Sequence, residues 1–133
     1  MVDGIYIGDI SIDCGDPEGL RGFYAELLGW DRRMMYGCPA VVSKGGFVIL
    51  FMETDCVYCP PIWPETPGAQ QKQMHFNFAV SDLPAAVEAA VRLGARRAAA
   101  QYGGGQYVTL LDPAGHPFCL CQSNAAGQYQ NKD

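Results

Sequence analysis

The sequence predicts an α+β fold in which one strand-and-helix unit occurs twice. Residues 9–17 (DISIDCGDP) are repeated as residues 75–83 (HFNFAVSDL), at a constant offset of 66 residues given by 75 minus 9. Each copy alternates polar and apolar residues, which is the period of a half-buried strand. Each copy then reaches an aspartate, Asp16 or Asp82, that can cap the start of a helix. Such a repeat predicts two small modules that cover each other's apolar faces.

Both modules are predicted to run strand, helix, strand, strand, strand. The helices span residues 17–28 and 83–93, and Gly29 and Gly94 are suited to the backbone conformation that ends a helix. The later strands cover residues 32–36, 40–43 and 47–53 in module one; module two has strands at residues 74–80, 96–101, 106–111 and 117–122. Turn sequences separate the strands, among them Lys44-Gly45-Gly46 and Asp112-Pro113-Ala114-Gly115.

Changes of composition along the chain predict the boundaries of the domain, its modules and the linker between them. We expect one domain over residues 1–125, with module one at residues 5–55, a linker at residues 54–73 and module two at residues 74–122. The linker contains the stretch CVYCPPIWP, and proline at this density excludes a central strand or helix. Residues 123–133 are polar and rich in Gln and Asn, which is typical of a frayed tail.

The overall composition excludes several classes of protein. The 133 residues are 49% hydrophobic and 17% charged, an ordinary globular balance. A net charge of −5 and a pI near 4.8 argue against nucleic-acid partners and against an anionic membrane surface. The sequence shows neither a signal peptide nor an apolar run that could span a bilayer, so we expect a cytoplasmic protein. The six cysteines are then expected to be reduced thiols.

Short motifs occur in a fixed order along the chain, within a region of resemblance that spans residues 5–122. They are IDCGDP at residues 12–17, FY at 23–24, LLGW at 27–30, QMHF at 73–76, VSDL at 80–83, LGA at 93–95 and DPAGHPFCL at 112–120. With these motifs the chain resembles the glyoxalase/bleomycin-resistance/extradiol-dioxygenase family, also called the vicinal oxygen chelate (VOC) superfamily. The linker text PIWPE is similar to that of bacterial glyoxalase-like proteins.

The resemblance implies two tandem βαβββ modules whose eight strands curl into an open, mixed sheet, an incomplete barrel around a ligand cup. It also implies a homodimer that binds a small organic molecule. Metal-using members of the family place one ligand, typically His or Glu, on the first and the last strand of each module. The superfamily includes lyases, isomerases, dioxygenases and drug-sequestering proteins, so the fold alone does not assign a function.

The positions that correspond to these metal ligands depart from the family pattern. The first-strand positions are Asp9 and His75, and the last-strand position in module two is Cys119. The position in module one is either Leu50 or Met52, because the register of its hairpin is open. Since neither suits a hard divalent ion, we expect no metal cofactor. The alternative is one divalent metal such as zinc, held by Asp9, His75 and Cys119.

Alternation along the strands groups the remaining candidate residues. The expected ligand-binding set in a shared polar concavity is Asp9, Ser11, Leu50, Met52, Trp63, His75, Asn77, Cys119 and Cys121. Such a set favours binding of a small, partly aromatic organic molecule without a metal. The alternative is a lyase or isomerase of the glyoxalase type, in which His75 is the general base and Asp9 orients it. A third interpretation is a dimeric accessory module with no ligand of its own. The polar groups would then only satisfy one another's hydrogen bonds.

Overall fold

A computed structural model describes residues 1–124, so the predicted tail beyond Asn124 lies outside the described residues. The chain divides into two compact units, Met1–Tyr58 and a second unit that begins at Cys59. Unit one contains β1 (Ile10–Cys14), α1 (Pro17–Leu28), β2 (Asp31–Met35), β3 (Cys38–Val42) and β4 (Val48–Glu53). Unit two contains β5 (Asn77–Val80), α2 (Leu83–Leu93), β6 (Arg96–Arg97), β7 (Tyr107–Leu111) and β8 (Pro117–Gln122).

The sheet of unit one has the strand order β1-β4-β3-β2. β1 runs parallel to β4, whereas the other two pairs are antiparallel. The hairpin between β3 and β4 closes through Ser43, whose amide donates to the carbonyl oxygen of Phe47 at 2.9 Å. The predicted glycine turn at residues 44–46 is therefore confirmed.

Helix α1 begins and ends where the sequence predicts. The carboxylate of Asp16 accepts a hydrogen bond from the amide of Gly19 at 3.1 Å, and Gly29 ends the helix with φ of 65°. The helix buries Leu20, Phe23 and Tyr24 against one face of the sheet. The Tyr24 ring stacks on that of Phe51 with centroids 5.7 Å apart, so the helix covers the face that carries the odd-numbered residues of β4.

Unit two repeats this arrangement with the strand order β5-β8-β7-β6, again with a parallel first pair. Asp82 caps α2 by accepting from the amide of Ala85 at 3.1 Å, and Gly94 follows its last residue. On the helical side the half-buried Phe78 lies beside the buried Phe118, with ring centroids 6.0 Å apart. The two units therefore confirm an α+β fold of tandem βαβββ modules, with the eight strands in two four-stranded sheets.

Two of the predicted strands are too long. The strand expected over residues 96–101 ends at Arg97, because the side chain of Gln101 takes over the pairing with β7. The Gln101 side chain donates to the carbonyl oxygen of Thr109 at 2.7 Å and accepts from the amide of Thr109 at 2.9 Å. The strand expected from residue 74 begins only at Asn77, although the carbonyl oxygen of Phe76 still accepts from the amide of Cys119 at 2.9 Å. Before it, Gln73 adopts a left-handed backbone with φ of 58°.

The linker is irregular, as the sequence predicts. Between Glu53 and Asn77, within the part of the chain that the structure describes, no residue belongs to a helix or a strand. The boundary between the two units lies inside this linker, between Tyr58 and Cys59. Neither α1 nor α2, the helices of residues 1–124, has the length and apolar run needed to cross a membrane.

Candidate functional site

Each sheet has one face that its helix does not cover. In unit one this face contains Ser11 and Asp13 on β1, opposite Leu50 and Met52 on β4. Ser11 and Asp13 are exposed, Leu50 is 5% exposed and Met52 is 39% exposed. Because directly paired residues project to the same side of a sheet, polar first-strand residues lie beside apolar last-strand residues.

The pairing of β1 with β4 determines whether Leu50 or Met52 is the equivalent of Cys119, which the sequence leaves open. Ser11 pairs with Leu50, and its counterpart 66 residues later, Asn77, pairs with Cys119. Leu50 is therefore the module-one equivalent of Cys119. By the same comparison Met52, which pairs with Asp13, is the equivalent of Cys121, which pairs with Ala79.

The same face of unit one continues into a small apolar cluster. Leu50 packs there with Ala40 and Val48, and the half-buried Met35 and Val42 lie against them. The cluster fixes Leu50 as a packing residue, because its side chain has apolar neighbours on the sheet and little exposure.

The corresponding face of unit two is more polar, and we call it the module-two face. It is made of two rows of directly paired residues, Asn77, Cys119 and Thr109, then Ala79, Cys121 and Tyr107. The hydroxyl of Thr109 lies 3.4 Å from the sulfur of Cys119, and both residues are buried. The thiol of Cys121 lies 4.0 Å from the amide oxygen of Asn77. Asn77 and Ala79 are exposed, so the face is open along β5 and closed toward β7.

The two thiols on this face differ in burial: Cys119 is buried and Cys121 is half-buried. Partial burial raises the pKa of the Cys121 thiol, and the neighbouring Cys119 raises it further. The thiol form of Cys121 is thereby favoured over the thiolate, which makes it a weak nucleophile at neutral pH. None of the six cysteines, all within residues 1–124, belongs to a disulfide.

Asp9 and His75 do not lie on the strands to which the sequence assigns them. β1 begins one residue after Asp9 and β5 begins two residues after His75, and both side chains are exposed. A carboxylate oxygen of Asp9 lies 3.5 Å from the hydroxyl of Ser11, which donates to it. The two residues belong to different units, so their catalytic pairing stays a prediction.

The donor set does not fit the four-ligand metal site that the resemblance implies. Leu50 stands where Cys119 stands in the other module, and a leucine side chain has no donor atom. Cys119 supplies a soft sulfur where a hard ion would need a carboxylate oxygen. Among residues 1–124 no three His, Cys, Asp or Glu side chains form a group that could hold a metal ion.

Trp63 is held by its own unit. Its indole nitrogen donates to the carbonyl oxygen of Ala100 at 3.2 Å, and its ring meets that of Tyr102 at 81° with centroids 5.9 Å apart. The ammonium of Lys72 lies over the ring, 4.6 Å from the centroid. The expected contact between Trp63 and a ligand stays a prediction.

Sequence reasoning missed Thr109, Tyr107 and Gln101. The first two could have been found from the hairpin turn, where the carboxylate of Asp112 accepts from the amides of Ala114 and His116 at 2.9 and 3.0 Å. A turn centred there places Thr109 opposite Cys119. No signal in the sequence marks Gln101, because its side-chain amide bonds to the backbone of Thr109 in place of a strand's backbone, and such a contact has no sequence pattern.

Comparisons with known proteins agree with the fold. A family model described as a glyoxalase-like domain matches residues 9–121. A search of curated proteins found no match. A glyoxalase/bleomycin resistance protein/dioxygenase family enzyme from Burkholderia phytofirmans PsJN is 16% identical, with a TM-score of 0.62 over 86% of this chain and 96% of that one.

Two further structures share the same fold. A glyoxalase-related enzyme from Fulvimarina pelagi is 19% identical, with a TM-score of 0.63 over 96% of this chain and 99% of that one. TnmS3, an antibiotic binding protein from Streptomyces sp. CB03234, is 17% identical, with a TM-score of 0.59 over 93% of this chain and 100% of that one. The family model covers well over half of the sequence, and the chain therefore belongs to the glyoxalase-like domain family.

Proposed function

We propose that this protein binds a small, partly aromatic organic molecule without a metal ion, and that the module-two face is a principal contact surface. The proposal rests on the residue composition of that face. The exposed Asn77 and Ala79 run along β5, and the half-buried Cys121 and Tyr107 lie beside Ala79 in the same row.

Each residue of this face has a property that a binding surface needs. The amide of Asn77 offers donors and an acceptor that can orient a polar group. Ala79 is small and exposed, so it leaves space on the sheet beside Cys121. Tyr107 lies on the other side of Cys121, and its ring is a surface for aromatic contact. The thiols are weakly polar and behave largely as small apolar groups. A mostly apolar surface with a few polar groups is typical of small-molecule sites.

Unit one supplies a second surface of the same kind. Its exposed polar residues Asp9 and Ser11 are hydrogen-bonded to each other, and Met52 on β4 is 39% exposed. A methionine side chain is flexible and polarizable, so it adapts to ligands of different shape. On this surface of unit one the polar pair can orient a polar group and Met52 can contact an apolar one, whereas the buried Leu50 packs beneath them.

The donor set favours binding without a metal. Leu50 and Cys119 take equivalent positions on β4 and β8, where the resemblance implies carboxylate ligands in metal-using relatives. A likeness of fold supports the binding of a small molecule, since TnmS3, described as an antibiotic binding protein, shares the architecture at 17% identity.

The test is a thermal-shift screen of small aromatic and drug-like compounds with the wild type and Asn77→Leu. We expect compounds that raise the melting temperature of the wild type and lose that effect in the variant, because leucine removes the amide and fills the space beside Ala79. Glu88→Leu is the matched control, since it adds the same side chain at an exposed position of α2. Hits that Asn77→Leu leaves unchanged would contradict the assignment to this face.

The homodimer that the resemblance implies and the cytoplasmic location stay predictions. Light scattering after size-exclusion chromatography measures the first directly, because it gives the mass in solution. The mass of one chain is 14.4 kDa, so a dimer would be twice that value.

A further inference from the structure

A cation is already bound to an aromatic ring in unit two. The ammonium of Lys72 lies 4.6 Å from the centroid of the Trp63 ring and 2.6 Å from a carboxylate oxygen of Glu65. The Lys72 side chain is 18% exposed, so the contact is largely shielded from water. An aromatic face and a carboxylate together hold one positive charge, and we call Trp63 and Glu65 the cation corner.

The cation corner does not depend on Lys72 for its position. The indole nitrogen of Trp63 is fixed by the carbonyl oxygen of Ala100, and the ring is fixed by Tyr102. The loop that carries Trp63 and Glu65 is closed by its own backbone. The amide of Ile62 donates to Gln70 at 2.9 Å, and that of Ala69 donates to Thr66 at 3.0 Å. The Trp63 face is therefore preorganised before any cation arrives.

We propose that the cation corner binds a small organic cation of the alkylammonium class, with Lys72 as a competitor built into the chain. Quaternary ammonium ions are attracted by the face of tryptophan more than by that of any other aromatic side chain, because the ring presents partial negative charge there. A carboxylate within reach of the same ammonium adds a charge-charge attraction. This inference goes beyond the proposed sheet-face site, since neither Trp63 nor Glu65 lies on a strand.

Two further features favour a positively charged ligand. The chain has a net charge of −5, which raises the concentration of cations near its surface. Glu65 has half of its side chain exposed and Tyr102 is 65% exposed, so a ligand can reach the corner from solvent. Because Lys72 is tethered close to the ring, it competes at a high effective concentration, and a free cation binds the wild type weakly.

The experiment uses choline as the probe and its uncharged isostere 3,3-dimethylbutanol as the matched control. The sequence has two tryptophans, so a proton-nitrogen NMR spectrum contains two indole signals, and Trp30 is an internal control. We expect choline to shift the Trp63 indole signal and leave that of Trp30 in place. The isostere has the same shape without the charge and is expected to shift neither signal.

Lys72→Ala removes the competitor, and we expect it to tighten choline binding by about fivefold relative to the wild type. Adding Glu65→Gln to that variant is expected to weaken binding by about threefold, because the amide keeps the shape and loses the charge.

The proposal is overturned if choline leaves the Trp63 signal of the wild type in place up to the highest concentration at which the protein stays folded, or if the isostere shifts it equally. It is also overturned if folded Lys72→Ala binds choline no better than the wild type. In those cases Lys72 only clamps the loop. Should Lys72→Ala fail to fold, the comparison of choline with its isostere on the wild type decides alone.

Discussion

Leu50 lies directly opposite Ser11 in the parallel pair of β1 and β4, at the position that Cys119 occupies opposite Asn77 in the second sheet. This equivalence leaves module one without a donor atom at a point where the resemblance implies a metal ligand. It also explains why the two modules differ in chemistry although they repeat in fold. One face packs around a leucine, and the other presents a threonine, an asparagine and two thiols.

The first prediction concerns metal content. Protein purified without added metal is expected to contain no stoichiometric zinc, nickel or iron, because Leu50 has no donor atom and no three His, Cys, Asp or Glu side chains of residues 1–124 form a group that could hold an ion. Elemental analysis measures this directly. About one metal per chain in the wild type and none in His75→Ala would contradict the prediction and favour the lyase or isomerase alternative.

A second prediction tests the register. Leu50→Ala is expected to lower the free energy of unfolding by about 2–5 kcal/mol, because the side chain is buried against Ala40 and Val48. Met52→Ala is the matched control and is expected to cost at most about 1 kcal/mol, since Met52 is exposed. Urea denaturation followed by circular dichroism compares the two. Equal losses would mean that the side-chain positions on β4 are wrong.

The third prediction concerns the two aspartates that cap the helices of the repeat. Asp16→Ala and Asp82→Ala each remove a carboxylate that accepts one amide hydrogen bond at the start of a helix. Each substitution is expected to destabilise the protein by about 1 kcal/mol. Asn in place of either aspartate is the control, because it keeps the cap and is expected to restore most of the loss. A large effect from only one of the two aspartates would show that the helix starts are not equivalent.

The fourth prediction concerns the reactivity of the thiols. Cys56 and Cys59 are exposed and are expected to react first with iodoacetamide, whereas the buried Cys14 and Cys119 react last. The raised pKa of Cys121 leaves less thiolate at a given pH, so its alkylation rate is expected to be low at about pH 8 and to rise strongly by about pH 10. Mass spectrometry of labelled peptides gives the rates. Rapid labelling of Cys121 at the lower pH would show that its thiolate is not disfavoured.

Much of the fold could be predicted because local signals and packing agree. Pro17–Leu28 and Leu83–Leu93 have the predicted helix bounds, since each combines a capping aspartate with a closing glycine. Phe23 and Tyr24, one of the short motifs of the sequence, are buried. The expectation that Cys119 and Cys121 share a face is confirmed by the pairing along β8.

The features that could not be predicted depend on contacts between separate segments of the chain, which a local sequence pattern does not encode. The early end of β6 depends on the Gln101 side chain, which pairs with a strand as a backbone would. The choice between Leu50 and Met52 depends on the parallel pairing of strands that are far apart in sequence. The contacts of Trp63 depend on Ala100 and Tyr102, which lie beyond the next helix.

The central claim is that the module-two face binds a small organic molecule, and NMR mapping of a bound compound tests it most directly. A hit from the thermal-shift screen is titrated into isotope-labelled, metal-free protein, and the shifted backbone amides are assigned. The account predicts that the largest shifts belong to the two rows of the module-two face, above all to Asn77 and Ala79 on β5 and to Cys119 and Cys121 on β8. Shifts confined to α2 or to the helical side of the sheet, with these rows unchanged, would contradict it.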